Sequence, residues 1–201
     1  MILWTIQPEA VYDIVQSTGT YRANRELMWS YPDLREQYQW LAGQMRTRIG
    51  HAPEYVEFPI WAWYRHNNRH HPPDLRRVRW CCGNGGEKFV CMELDVPSEM
   101  VLLSDFDAWS IILLNALISD TEEEDKALEA SYEQLSPDGK IAFRSRNWER
   151  AFNVEPFNNG WICRGEWVQA TFWEIKKEYI KSIRKFVTCK RKQSPADRTL
   201  Q

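Results

Sequence analysis

WICRGEWVQATFWEIKKEYIKSIRKF, residues 161–186, is the stretch on which the fold turns. Residues 167–175 carry β-branched and aromatic side chains in alternation, the pattern of a strand. Trp167, Gln169, Thr171 and Trp173 fall on one face, and Val168, Ala170, Phe172 and Glu174 fall on the other. One amide among indoles is the anomaly. A polar group there must find a partner or bind something, so Gln169 is the first candidate site residue. Beyond the strand, Tyr179, Ile180, Ile183, Phe186 and Val187 recur at helical spacing, which predicts an amphipathic helix lying on the sheet with Lys176, Lys177, Lys181, Arg184 and Lys185 in water.

A chain of 201 residues fits one domain with a single core. Its net charge of −2 excludes a generally basic nucleic-acid binder, although residues 120–125 are acidic and the chain from Lys176 onward is basic. Eleven tryptophans either thicken that core or line a surface that stacks on planar ligands. The five cysteines show no regular spacing and the opening MILWTIQPEA lacks the regions of a secretory signal, so a cytoplasmic protein with reduced thiols is expected. The most apolar run, residues 111–118, is far shorter than the roughly 20 residues a membrane helix needs, and no membrane partner is expected.

From the N-terminus, residues 2–7 read as a strand, Val11, Ile14 and Val15 as a helical stripe ended by Gly19, and residues 20–23 as a second strand. This unit brings Trp4, Thr5, Gln7, Tyr21 and Arg22 within reach of one another. An arginine on a strand beside aromatics suits a phosphate, because its planar fork binds two oxygens at once. A helix is predicted over residues 32–49 with Asp33 as its cap, then an aromatic strand over 56–64 that puts Trp61 and Trp63 on one side and Tyr64 on the other.

RHNNRHHPPDLRRVRWCCGNGG, residues 65–86, reads as loop. His66, His70, Cys81, Cys82 and Cys91 include no paired CxxC, so a structural loop explains them better than a zinc site, and no metal is expected. Its arginines also resemble a small nucleic-acid patch. Strands are predicted over 89–96 and 101–103. Ser104 should cap a helix whose first turn holds Asp105 and Asp107, where carboxylates offset the positive helix end. The acidic segment 120–125 together with residues 126–135 reads as an exposed helix, SPDGK as a turn, 147–152 as a short helical turn, Asn158, Asn159 and Gly160 as a turn, and 190–201 as a disordered tail after a single 1–189 domain. Strands and helices interleave irregularly, which predicts an α+β fold with flanking helices rather than a doubly wound parallel sheet.

The words LWTIQ, TYR, PIWAWY, GEKFVCMELDVP, LLSDFDAW and VQATFWEI, in this order, resemble a bacterial family catalogued only as a domain of unknown function, family 3841. More remotely the chain resembles the ADP-ribosyltransferase superfamily, which implies a mixed or antiparallel sheet core. In that fold an opening strand, helix, strand unit grips NAD, a middle-strand aromatic stacks on the nicotinamide, and a late strand carries a catalytic glutamate. The resemblance assigns NAD as co-substrate, Trp4, Thr5, Gln7, Tyr21 and Arg22 to its binding, and Trp61, Trp63 or Tyr64 to the stacking. It puts Gln169 at the catalytic position.

Glutamine can hold a ribose hydroxyl but cannot supply a charge. A charge pair at about 4 Å with an effective dielectric near 20 is worth on the order of 4 kcal/mol, so a carboxylate must come from elsewhere. Asp105 and Asp107 are the candidates. The expected function is therefore nucleotide binding in a tryptophan-rich cleft, with ADP-ribose transfer to a nucleic acid or protein. The alternative is a non-enzymatic module that binds a nucleotide, RNA or a partner protein.

Overall fold

The structure, a computed structural model, describes residues 1–23 and 34–190. The predicted cap Asp33, the start of its helix at residues 32–33, and the tail at 191–201 lie outside the described residues. Ten strands are described: β1 (Ile2–Pro8), β2 (Thr20–Arg22), β3 (Ile60–Arg65), β4 (Lys88–Asp95), β5 (Leu102–Asp105), β6 (Phe157–Asn158), β7 (Cys163–Arg164), β8 (Val168–Phe172), β9 (Glu174–Lys176) and β10 (Ile180–Val187). The helices are α1 (Glu9–Thr18), α2 (Arg35–Ile49), α3 (Leu75–Val78), α4 (Phe106–Leu113), α5 (Glu122–Glu133) and α6 (Pro137–Asn147). Six strands form one sheet in the order β10, β4, β1, β3, β8, β5, with every neighbouring pair antiparallel. The fold is α+β, as the interleaved pattern predicts.

The alternation of residues 168–173 holds. Ala170 and Phe172 lie in a core with Leu3, Val90, Met92 and Leu94, against which α1 packs through Val11 and Val15. Trp173 enters a second core on the other face with Leu102, Trp109, Ile112 and Trp148, and α2 closes it with Leu41 and Met45. Each face of the sheet is thus covered, and α1 ends where Gly19 takes a φ of 86° and bonds back to Val15.

The segment predicted as a helix over 179–187 is a strand, β10, paired antiparallel with β4. Its helical spacing has a physical origin in a β-bulge. Ile180 lies opposite Leu94 and Ser182 opposite Glu93, so Lys181 is an extra residue and alternation resets there. Ile180 and Ile183 then share a face across an odd interval and both pack on the first core. Predicted as a turn, SPDGK instead starts α6: Ser136 accepts a hydrogen bond from the Gly139 amide and Pro137 occupies the first helical position. The cap of α4 is Asp105 rather than Ser104, which remains in β5, and that helix stops at Leu113.

Candidate functional site

Strand register places one row of side chains across the sheet. Ser104 lies opposite Gln169, Gln169 opposite Trp63, Trp63 opposite Trp4, and Trp4 opposite Glu93. Directly opposed residues share a face, so these side chains project together on the side of the second core, next to Trp61 and Thr171. Trp4 is buried and its indole donates to Glu93 Oε2 at 3.2 Å. Trp63 and Gln169 are half-buried.

The turn after β3 supplies the surroundings. Asn67 and Asn68 both take left-handed φ values, 54° and 60°, as a two-residue hairpin turn requires, and His66 and Arg69 bridge across it. The turn is held to the approach of β8 by Asn68 N–H bonding to Glu166 O. Rings consequently converge on Trp63: Phe106 at 5.4 Å, His66 at 5.6 Å and Trp167 at 6.1 Å between centroids. His66 sits 4.1 Å from Trp167, edge to face, and His71 lies 6.0 Å from His66. His70 packs 5.0 Å from Trp4 and its Nε2 bonds to the Ile2 carbonyl. Burial holds the His66 imidazole below its usual value, and the positive potential of His71 and Arg77 acts in the same direction.

Acidic groups flank the ring-bearing residues Phe106 and Trp167 in the chain. Asp105 is buried and both its oxygens accept backbone bonds, Oδ1 from Ala108 N–H at 2.9 Å and Oδ2 from Gly165 N–H at 2.6 Å. Gly165 holds a φ of 76°, and a Cβ there would lie 2.7 Å from the Val154 carbonyl, so only glycine permits this approach. Asp107, exposed in the first turn of α4, has its carboxyl pushed above the ordinary value by partial loss of solvent around it and by the charges of Asp105 and Glu166. Cys163 donates to Glu166 Oε2 at 3.2 Å, and that bond keeps the thiol protonated.

The structure brings together only part of the expected set. Trp4, Trp63 and Gln169 share the row, while Trp61 lies on the same face but packs into the second core, 5.2 Å from Trp109. Thr5 and Gln7 face the opposite side, where Gln7 Nε2 donates to Thr5 Oγ1 and Thr5 Oγ1 donates to the Trp61 carbonyl. Asp105, opposite Val168, also belongs to that side. Tyr64 is the extra residue of a register shift between Trp63 and Arg65 and packs on the first core, with its ring 4.7 Å from His70. Tyr21 and Arg22 belong to β2, which among the described residues pairs with β9 in a separate two-stranded sheet; Tyr21 packs on the first core and burial raises its phenol. Arg22 Nε donates to Glu174 at 3.0 Å and does not join the row.

A family model described as Domain of unknown function (DUF3841) matches residues 2–181. The chain belongs to that family. No curated protein and no solved structure matches the chain. The matched span contains the whole Trp4, Trp63, Gln169, Ser104 row and the ring cluster around it.

Sequence reasoning did not assign Ser104, Phe106, His66, His71 or Trp167 to a site. Ser104 needed the β5 to β8 register, which no local pattern encodes. The Asn67-Asn68 turn, by contrast, was a readable signal that residues 65–71 fold back onto β3. Among the described residues no group of three or more His, Cys, Asp or Glu is placed to hold a metal ion, and none of their helices is long and apolar enough to cross a membrane.

Proposed function

We propose that this domain binds a nucleotide, NAD or a related one, with a planar ring laid against Trp63 and its polar edge toward Gln169. The observation that carries this reading is the Trp63 row itself: a half-buried indole, flanked by further rings, beside an amide whose Oε1 is buried without a hydrogen-bond partner. Aromatic rings stack on any base, at about 1–3 kcal/mol per base. Arg77, exposed on α3 and near enough for its charge to bear on His66, is the arginine we assign the phosphate role first expected of Arg22. The resemblance to the ADP-ribosyltransferases makes NAD the first ligand to try.

Titration of the protein with NAD, followed by tryptophan fluorescence or calorimetry, tests this. Saturable binding is expected, weakened roughly tenfold or more by Trp63→Ala and less, in a salt-dependent way, by Arg77→Ala. Arg22→Ala should leave it unchanged.

ADP-ribose transfer on the same ligand is a second reading, favoured by Asp107. Its carboxyl lies where Asp105 and Glu166 already make the potential negative. A developing positive charge on a ribose would be stabilised in such a place. Asp105 has no free oxygen for this, because both accept backbone amides. With NAD labelled in its nicotinamide ring and RNA or protein acceptors, Asp107→Asn should abolish nicotinamide release while leaving binding intact. Binding with no release from the unaltered protein would make the domain a binding module without chemistry.

A further inference from the structure

Two buried polar atoms at the end of the Trp63 row have no hydrogen-bond partner among the described residues: Gln169 Oε1 and Ser104 Oγ. They belong to directly opposed residues of β8 and β5, and Ser104 is only 1% exposed. Their neighbours are not in this condition. Thr171, two residues along β8, donates to the Leu102 carbonyl, and Thr5 donates to the Trp61 carbonyl. Buried polar groups are normally paired, and of the buried side-chain atoms left unpaired among the described residues these two belong to opposed residues beside a half-buried indole.

We propose that Gln169 and Ser104 read the edge of the bound ring and select one that presents an N–H donor beside an acceptor, as the amino edge of an adenine-type base or a carboxamide does. The chemistry of the two atoms dictates the choice. A carboxamide oxygen can only accept, so it requires an N–H, whereas a hydroxyl can donate to a ring nitrogen or carbonyl next to that N–H. Trp63, directly across β8's other edge, fixes the plane in which such an edge would lie. A ring lacking the amine would leave Gln169 Oε1 unpaired, and sites that keep a buried acceptor unpaired discriminate by roughly tenfold or more. The inference rests on nucleotide binding at this face and specifies the ligand's class within it.

Adenosine 5′-monophosphate and purine riboside 5′-monophosphate, which differ by the exocyclic amine alone, separate the two claims. Calorimetry on the full chain is expected to show the adenosine nucleotide binding about tenfold or more tighter. In Gln169→Met that ratio should fall to near one through loss of the adenosine nucleotide's advantage, and Ser104→Ala should weaken both severalfold. Equal affinities for the two nucleotides in the unaltered protein would overturn the inference while leaving nucleotide binding in place. If neither nucleotide nor NAD bound the folded protein, nucleotide binding itself would fall, and edge selection with it. Should Gln169→Met fail to fold, the comparison in the unaltered protein still decides.

Discussion

Asp105 ties together three parts of the chain with one side chain. It ends β5, caps α4 through Ala108 and anchors the loop before β8 through Gly165. Removing it leaves two buried backbone donors unpaired, so Asp105→Ala should lower stability by about 2–3 kcal/mol, read from urea unfolding. His66 acts in the opposite electrostatic sense. Its imidazole is held neutral among rings, with a folded-state value below the ordinary 6.5. The unfolded chain therefore takes the proton first, and stability should be full above that ordinary value and fall as pH drops from it toward the lowered folded value. Replacing His66 with Asn should flatten that part of the stability profile. Gln169 shows how far single residues could be read. Alternation gave its face, because the side-chain period of a strand is a local property. Its neighbours Ser104 and Trp63 depend on which strands pair and in what register, and neither is encoded within ten residues of position 169.

Among the elements, β10 was the hardest to read because its bulge imitates a helix. Ile180 and Ile183 repeat at an interval that a regular strand would place on opposite faces, and only the extra residue Lys181 reconciles it. Deleting Lys181 removes the bulge, restores plain alternation and turns Ile180 away from the first core. The expected loss is about 1–2 kcal/mol of apolar burial, measured as a lowered urea midpoint with an unchanged slope. The ion pair lost with Lys181 adds little, since both Lys181 and Asp95 are near half exposed. Elsewhere the local rules worked where a residue's conformational preference acts alone, as at Gly19 and in β4. They failed where one signal serves two structures. Ser136-Pro137 is equally good chemistry for a turn and for a helix start, and α6 itself is largely exposed, with too weak an apolar stripe to decide between them.

In the whole molecule, a six-stranded antiparallel sheet carries a core on each face, and the Trp63 row runs beyond the edge of the second core, where the hairpin turn and α4 bring in rings and carboxylates. The α+β class was legible because it arises from the interleaving of elements. Strand order was not, since β1 lies at the centre between β3 and β4, and β10 returns to the edge beside β4. That order is also why the opening strand, helix, strand unit splits: β1 joins the large sheet while β2 pairs with β9, taking Arg22 to Glu174 and away from the row. The most direct measurement is a calorimetric titration of the protein and its Trp63→Ala variant with NAD. Saturable binding that Trp63→Ala weakens roughly tenfold or more, with folding intact, is the predicted result; no binding to the folded protein, or binding indifferent to Trp63, would contradict it.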